Sequence, residues 1–429
     1  MIFSLTFGLL ILMVLGVPIS LALGISGLLG YIMNIGSVNA WLNAGIISQR
    51  MNYSLGNFLL ISIPLFILAA KFMNSSGITK KIFGFANTSV GFLPGGLAHS
   101  NVFASLLFSG MSGSATSDAA GLGQIEVEAM VSHGYKPNFS AAVTASSSTI
   151  GPIFPPSVPL VIYSTISGLS VGRLFLGGIV PGILMTASLM IMIVIYALKH
   201  DVPRLEKPNF KTLASSFSQA FLPLMTPVIL LGGIWSGVFT PTESATVAAL
   251  YAFIISFFVY RDLSFKDIKT IFISTAKETA SIGMVIAAAA FYGWVLARSG
   301  LTTQFANWLN SYTTNPTVYL FVLCGFFLVV GCFLEQIAAI LIFCPVILPT
   351  SFSMGIDPIQ LGLVIVLTMM IGLLTPPFGI CLFIVKDYAK ISFGEMVRST
   401  IPFIIPLLLV LIMIILFPGL VLWLPSILY

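Results

Sequence analysis

The sequence reads GPIFPP at residues 151–156 and GLLTPP at residues 372–377, and it contains no other pair of adjacent prolines. The two motifs lie 221 residues apart, each in the middle of a long apolar segment. Proline removes a backbone donor and clashes with the preceding helical turn, and glycine tolerates unusual backbone angles. Each motif is therefore predicted to unwind a membrane helix near its centre. Unwound backbone at that depth is tolerated only where it is buried in protein or lines a polar cavity. Two matched broken helices are typical of a transporter binding site.

The composition is that of a polytopic helical membrane protein. Of the 429 residues, 58% are hydrophobic and only 7% are charged, and the mean hydropathy is +1.07. The apolar runs are long and continuous, which excludes a membrane β-barrel. A formal charge of +5 is too small and too scattered to indicate nucleic-acid binding. The three histidines and four cysteines show no metal-binding or nucleophile–base pattern, so neither an enzyme nor a bound cofactor is predicted.

Hydropathy predicts nine membrane spans. Each is long enough for the roughly 20 residues that a helix needs to cross the hydrocarbon, and two of them contain the Pro-Pro breaks. They cover residues 3–30, 56–73, 139–165, 172–198, 220–238, 241–260, 279–297, 359–385 and 400–424. Two further apolar regions, 94–131 and 317–352, have polar or glycine-rich centres. We predict that both are re-entrant hairpins whose tips meet inside the protein.

Basic residues concentrate in the loops that this layout places on one side of the membrane. Lysine and arginine are frequent around residues 199–211, 261–269 and 386–398. The opposite side holds little beyond Arg50, Arg173 and Arg298. The positive-inside rule makes the lysine-rich side cytoplasmic. We therefore predict a cytoplasmic N-terminus and an external C-terminus.

The internal repeat extends beyond the two Pro-Pro motifs. Gly110 and Gly331 each stand 45 residues before the first proline of the following pair, and SGIT at residues 76–79 matches SGLT at residues 299–302. A short amphipathic interfacial helix fits after each of these matches, at 78–87 and 301–309. The segment 220–238 has no counterpart in the first half, so it serves as the odd span that inverts the second copy. We predict an all-α membrane protein with an inverted-topology repeat.

The first hairpin carries a dense polar cluster. Nine of the 14 residues from Phe108 to Gly121 are glycine, serine, threonine or aspartate, inside an otherwise apolar stretch. Small residues alone would suit close helix packing, but packing does not need a hydroxyl cluster with an acid. Backbone amides at such a tip suit an anionic substrate, and carbonyls and hydroxyls suit Na⁺. Asp118 is a functional candidate because it is an acid within the membrane; capping within the hairpin is the alternative.

The second hairpin and the two breaks supply facing groups. Glu335 takes the position that Ser114 holds in the first copy, and we favour ligand or cation contact for it. Hydroxyls of residues 146–149 precede Gly151, and Thr375 abuts the second Pro-Pro pair. These oxygens, with freed carbonyls, would complete a site for a hard cation, although helical serines and threonines also bond to their own backbone.

Three charged residues outside the hairpins are secondary candidates. Glu243 follows TPT at residues 240–242, where an acid and a proline suit a helix N-terminus. Arg298 ends a span and is most simply an interfacial anchor. Candidate docking or ion-pair contacts are Glu243, Arg298 and Arg173.

At these motifs the chain resembles a known family. GMSGSATSDAAGLG at 110–123, GPIFPPSVPLVIY at 151–163 and LLTPPFG at 373–379 are similar to the large, DctM-like membrane subunit of tripartite ATP-independent periplasmic (TRAP) transporters. The resemblance covers essentially the whole chain. Candidate substrate contacts are Ser112, Ser114, Thr116, Asp118, Pro155, Pro156 and Glu335. Candidate sodium ligands are Gly110, Ser112, Ser147, Ser148, Gly151, Gly331, Gly372 and Thr375.

The resemblance implies a Na⁺-driven elevator, in which a transport domain slides against a scaffold. The transport domain would comprise 94–165 and 317–385. The scaffold would comprise 1–75, 166–298 and 386–429, joined to the transport domain by arm helices in 76–93 and 299–316.

The family also implies partners and a location. The partners would be a periplasmic substrate-binding protein, a separate small four-helix membrane subunit, an organic-acid substrate and membrane lipid. The chain would lie in the bacterial inner membrane, with its C-terminus in the periplasm. Sialic acid and C4-dicarboxylates are the leading substrates, with sialic acid first on overall resemblance only. A Na⁺-coupled carboxylate transporter without a binding protein, or a passive channel, are the alternatives.

Overall fold

The computed structural model describes residues 8–9, 11–13, 15–35, 45–75, 77–200, 202–300, 304, 313 and 315–429, and the regular structure in these ranges is helical. The helices of the first half are α1 (Ile19–Ile35), α2 (Gly45–Leu55), α3 (Ser62–Ser75), α4 (Ile78–Val90), α5 (Leu97–Ser112), α6 (Ala115–Ser132), α7 (Pro137–Ser148), α8 (Val158–Ser167) and α9 (Val171–Lys199). Those of the second half are α10 (Phe210–Trp235), α11 (Pro241–Ile254), α12 (Phe265–Arg298), α13 (Pro316–Gly331), α14 (Gln336–Ser353), α15 (Pro358–Gly372), α16 (Ile380–Ala389), α17 (Phe393–Leu416) and α18 (Gly419–Leu428).

Several of these helices are long and apolar enough to cross a membrane. In the described ranges there are six, namely α9, α10, α11 with its π-helical extension to Val259, α12, α14 and α17. A seventh span results if α2 and Phe58–Asn74, which are bent by 61° at their junction, count as one. The chain is therefore a multi-pass membrane protein, as the composition predicted.

Both predicted breaks are present. The first separates α7 from α8 and contains a cis peptide bond between Pro155 and Pro156. The second separates α15 from α16 and contains a cis bond between Pro376 and Pro377. The cause is local, because each proline lacks the N–H that a continuing helix would need.

Both predicted hairpin regions are pairs of consecutive helices joined by a short turn. α5 and α6 pack on each other on either side of Gly113 and Ser114, and α13 and α14 pack on each other across residues 332–335. The second arm of each pair, α6 and α14, has 18 residues, and α14 is apolar enough to cross a membrane by itself.

The structure corrects the bounds of five predicted spans, of which 220–238 belongs to α10 and begins ten residues earlier, at Phe210. The span 3–30 is interrupted at residues 15–18, where Gly16 has a φ of 78° and Pro18 precedes α1. The polar helix α2, which the sequence analysis did not predict, precedes the span 56–73. The span 279–297 is only the second half of the 34-residue α12, which begins at a Ser264–Asp267 capping box that hydropathy does not register. The span 400–424 ends at Leu416, just before Pro418.

The two predicted interfacial helices have different outcomes. The first lies within α4, at Ile78–Val90. The second, at 301–309, lies outside the described residues. The division into scaffold, arms and transport domain stays a prediction.

The second arm of each hairpin packs on a helix from each of the two broken spans. α6 packs on α7 and on α16, while α14 packs on α8 and α15. α6 and α14 begin 221 residues apart, as do α7 and α15. Each hairpin therefore contacts both broken helices, which brings both tips and both breaks into one packed unit.

Candidate functional site

A cavity of about 310 Å³ lies where the tips of the two hairpins meet. Ser114 and Thr116 line it from the first tip, Glu335 and Gln336 from the second, and Val158 from the end of the first break. The beginning of α1, together with α3 and α12, supplies the rest of the wall. Binding sites for small ligands typically enclose about 300–1,000 Å³. The cavity therefore has the size of a small-ligand site.

The first tip is shaped by a turn and a helix cap. Gly113 has a φ of 62°, a conformation that favours glycine, and its carbonyl accepts a hydrogen bond of 3.3 Å from Val158 N. Ser114 is the N-cap of α6, with Oγ 3.5 Å from Ser117 N and 3.1 Å from Thr116 Oγ1. The N-terminus of α6, with two hydroxyls, therefore borders the cavity. Backbone N–H groups at a helix N-terminus attract anions.

The second tip repeats this arrangement with a different residue. Glu335 is the N-cap of α14, and Oε2 accepts hydrogen bonds from Ile337 N at 3.0 Å and Ala338 N at 3.4 Å. The structure thus gives Glu335 and Ser114 the same helix position, as the repeat predicted. Capping explains part of the role of Glu335, but this side chain is only half-buried and also lines the cavity.

Asp118 lies behind the first tip, at 2% exposure. Ser112 Oγ donates a short hydrogen bond to Oδ1. The other oxygen, Oδ2, has no hydrogen-bond partner in the described chain and lies so close to Gly151 that a side chain there would collide with it. A buried carboxylate oxygen without a partner is costly unless a cation or donor satisfies it. The structure therefore brings Ser112, Asp118 and Gly151 together, and this arrangement suits a cation.

The serines before the first break are buried, and most are already hydrogen-bonded. Ser147 Oγ donates to Asn101 Oδ1 at 2.8 Å and accepts from Ser105 Oγ at 3.0 Å, while Ser148 Oγ donates to Ala145 O at 2.8 Å. Ser146 Oγ, by contrast, is buried with no partner in the described part of the chain. The Ser147 hydroxyl therefore joins α7 to α5 of the first hairpin, and the Ser148 hydroxyl bonds to the backbone of its own helix.

The second break is defined by a close backbone contact. A Cβ built on Gly372 would lie 2.7 Å from both C and Cα of Gly331, so α13 and α15 touch at their ends. Thr375 Oγ1 donates to Ile371 O at 2.8 Å. The counterpart of Gly331 in the first copy, Gly110, packs instead against Pro227 of α10. The two breaks are therefore not equivalent in their surroundings.

The sequence of the chain matches the model of a known protein family. The model described as "Tripartite ATP-independent periplasmic transporter, DctM component" matches residues 6–420. The chain belongs to the DctM family. This DctM-family chain is 41% identical over 379 residues to the sialic acid TRAP transporter large permease protein SiaM of Vibrio cholerae, which covers 88% of this chain and 89% of that protein.

Other relatives of this DctM-family chain differ in the substrate that their names give. It is 38% identical over 419 residues to the sialic acid TRAP transporter permease protein SiaT of Haemophilus influenzae, covering 98% of this chain and 67% of that protein. It is 36% identical over 370 residues to the C4-dicarboxylate TRAP transporter large permease protein DctM of Pseudomonas aeruginosa, covering 86% and 87%. These relatives are transporter permeases, so the membership favours transport over enzyme activity.

Two solved structures share the fold. The Alcanivorax borkumensis YdaH transporter superposes with a TM-score of 0.67 at 14% identity, covering 89% of both chains. The Neisseria gonorrhoeae MtrF structure superposes with a TM-score of 0.59 at 12% identity, covering 96% of this chain and 94% of that chain. At such low identity the likeness supports the fold and nothing finer.

The three secondary candidates do not line the cavity. Glu243 forms a capping box with Thr240 at the start of α11, as expected for an acid in that place. The Arg298 guanidinium lies 5.7 Å from the ring centre of Trp294, and Arg173 Nη2 lies 3.5 Å from the backbone oxygen of Tyr429. Across the described ranges, Glu243 and Arg298 form no ion pair with each other.

Sequence reasoning missed three charged residues of this DctM-family chain. Lys71 and Glu278 form an ion pair between α3 and α12, and Glu278 lines the cavity. Glu126 is 1% exposed, and its Oε1 has no partner within the described ranges. Each is a charge inside an apolar segment, a signal that marks functional candidates in membranes. Applied to every predicted span and hairpin, that signal would have found Lys71 and Glu126, whereas Glu278 lies one residue before the predicted span 279–297.

Proposed function

We propose that this DctM-family chain is the transport subunit of a Na⁺-coupled, binding-protein-dependent importer of an organic acid. The observation that carries the proposal is the cavity at the meeting point of two helix N-termini, one capped by Ser114 and the other by Glu335. The hydroxyls and backbone amides at the start of α6 suit the carboxylate of the substrate, whereas Ile337 N and Ala338 N of α14 already donate to Glu335. Sialic acid and C4-dicarboxylates are the substrate classes that the relatives' names support.

Na⁺ is the proposed coupling ion. Hard cations of this kind take oxygen ligands, and such oxygens are offered by Asp118 Oδ2, which has no partner in the described chain, by the Ser112 hydroxyl and by the backbone around Gly151. Sodium bound there would neutralise Asp118 and rigidify the first tip, so that the substrate carboxylate then meets a formed site. Inward movement of one net positive charge would gain about 2.3 kcal/mol per 100 mV.

An elevator motion is the proposed route. The two hairpins and two broken helices form one packed unit, and α3 and α12 complete the cavity from outside that unit. In the proposal, this unit moves as the transport domain and the remaining spans hold still. The two halves would be inverted copies, with the N-terminus in the cytoplasm and the C-terminus in the periplasm of a bacterial inner membrane.

Reconstitution tests the proposal. The chain is inserted into liposomes with a small four-helix TRAP subunit and a substrate-binding protein from the same organism, and labelled sialic acid or succinate is supplied outside. We expect saturable uptake that needs an inward Na⁺ gradient and stops when the binding protein is omitted. If the labelled acid equilibrates across the membrane without Na⁺, the chain is a channel. If Na⁺ drives uptake without the binding protein, the chain is a two-component or single-component carrier.

The charge of Glu335 has a separate test. Glu335→Ser gives the second tip the cap that the first tip already has, so α14 should stay capped while one carboxylate leaves the cavity. If that carboxylate attracts Na⁺, the Na⁺ concentration for half-maximal uptake rises several-fold. Glu395→Gln, at an exposed capping box on α17, is the matched control and should leave uptake as it is. If the Na⁺ dependence of Glu335→Ser is unchanged, Glu335 only caps α14 and its charge does not attract Na⁺.

A further inference from the structure

An ion pair joins two helices beside the cavity. Lys71 Nζ on α3 lies 2.8 Å from Glu278 Oε2 on α12. The side chains are 25% and 39% exposed, and both belong to apolar helices. Charges within membrane segments are expensive, so they pair and often mark a substrate path.

The pair borders the wall that α3 and α12 contribute. Glu278 lines the cavity itself, as do Ser281 just after it on α12 and Ile67 one turn before Lys71 on α3. The tip residues Ser114 and Glu335 line the same cavity from the hairpins. A ligand in the cavity would therefore contact both the hairpin tips and the wall that carries Glu278.

The hairpin tips and the wall formed by α3 and α12 differ in the charged groups that a ligand could reach. In the described part of the chain no lysine, arginine or histidine lines the cavity. The ammonium nearest to Glu278 is that of Lys71, and its charge is already engaged. Lys277, the neighbour of Glu278, is exposed on another face of α12. An entering carboxylate thus meets the hydroxyls of Ser114 and Thr116 at the start of α6, with the Glu335 carboxylate at the other tip, and a neutralised cation on the wall of α3 and α12.

We propose that Glu278 masks Lys71, so that the organic anion is held by the hairpin tips and not by the wall of α3 and α12. The inference rests on the proposed function, because it takes the cavity to be the substrate site. An unmasked ammonium would form a charge-assisted hydrogen bond with the substrate carboxylate, and such bonds are strong where water is scarce. A substrate held by both walls would resist the movement of one wall against the other. Glu278 is then a positioning residue that keeps affinity moderate and turnover fast.

The decisive variant is Glu278→Gln. Glutamine keeps the size of the side chain and removes its charge, so the Lys71 ammonium becomes available to the substrate. We expect both the KM for uptake and the maximal rate to fall roughly tenfold. The reason is that the new contact would stabilise the bound ground state but not the transition state of the rate-limiting movement.

Two further variants separate masking from a structural role. Lys71→Met leaves the Glu278 carboxylate facing the cavity and should raise the KM for the anion by repulsion. Lys71→Met combined with Glu278→Gln removes both charges and should bring the KM back toward the wild-type value. Lys277→Gln removes a neighbouring exposed charge on the same helix and should change neither constant.

The outcomes are distinct. Opposite shifts of KM in the two single variants, with recovery in the double variant, support masking. A fall in maximal rate with unchanged KM in both single variants overturns it and makes the pair a structural contact. Wild-type kinetics in Glu278→Gln would also overturn masking, but would leave the proposed function intact. If the wild-type chain transports no organic acid at all, the proposed function itself is wrong.

Discussion

Asp118→Asn is expected to reduce Na⁺-driven uptake by roughly 10- to 100-fold, the range for losing one charge-assisted contact. Asp118 is 2% exposed, one of its oxygens accepts a hydrogen bond from Ser112, and the other faces Gly151 with no partner in the described chain. Asparagine has nearly the same shape but presents no negative charge to the ion. Initial uptake rates in proteoliposomes measure the effect.

Thermal unfolding in detergent gives a second readout for the same variant. A ligand that binds only the folded state raises its stability. We therefore expect Na⁺ to raise the unfolding midpoint of the wild type and to leave that of Asp118→Asn unchanged. Asp357→Asn is the matched control, because Asp357 caps α15 through a 2.7 Å bond from Ile359 N and asparagine caps equally well. Normal uptake with unaltered Na⁺ dependence in Asp118→Asn would remove Asp118 from the ion site.

Gly372→Ala is expected to abolish uptake and to lower the stability of the folded protein. The added Cβ would lie 2.7 Å from C and Cα of Gly331, and neither backbone atom can move without shifting the end of α13. Overpacking of this kind typically costs about 1–3 kcal/mol. The second hairpin would separate from the second break, which the proposed mechanism needs in contact.

Gly325→Ala controls for the effect of an added methyl group on the second hairpin. Gly325 lies in α13, where a Cβ would meet nothing within 4 Å, and alanine is the better helix former by about 1 kcal/mol. We expect this variant to transport normally with an unfolding midpoint equal to or above that of the wild type. A Gly372→Ala protein with normal uptake and midpoint would show that α13 and α15 part easily at this contact.

The two helix breaks and the two hairpin tips were predictable from the sequence. The breaks at 151–156 and 372–377 are present, and Ser114 and Glu335 occupy matching caps. Helix ends that are set by polar capping residues outside the apolar segments were less predictable. The start of α12 at a Ser264–Asp267 capping box lies outside the apolar window that hydropathy detects.

The roles of individual polar residues were harder to assign. The hydroxyl run at 146–149 suggested cation ligands, and this stays a prediction, since Ser147 donates its proton to Asn101 and Ser148 to the helix backbone while their oxygen lone pairs could still meet a cation. Composition shows that hydroxyls are present and does not show which partner each one meets. The partner of Ser147 lies 46 residues earlier in the chain.

The difference follows from the range over which each interaction acts. Proline, glycine and a capping side chain act on the backbone within about one helical turn, so the chain itself specifies where its helices break and begin. Three contacts join segments that are distant in the chain: Lys71 with Glu278, Gly331 with Gly372, and Asp118 with Gly151 of the first break. Those contacts depend on how apolar helix faces pack against one another, and many arrangements of the same helices would satisfy their hydrophobicity. Only the packed structure selects one arrangement, and with it the charges that border the cavity.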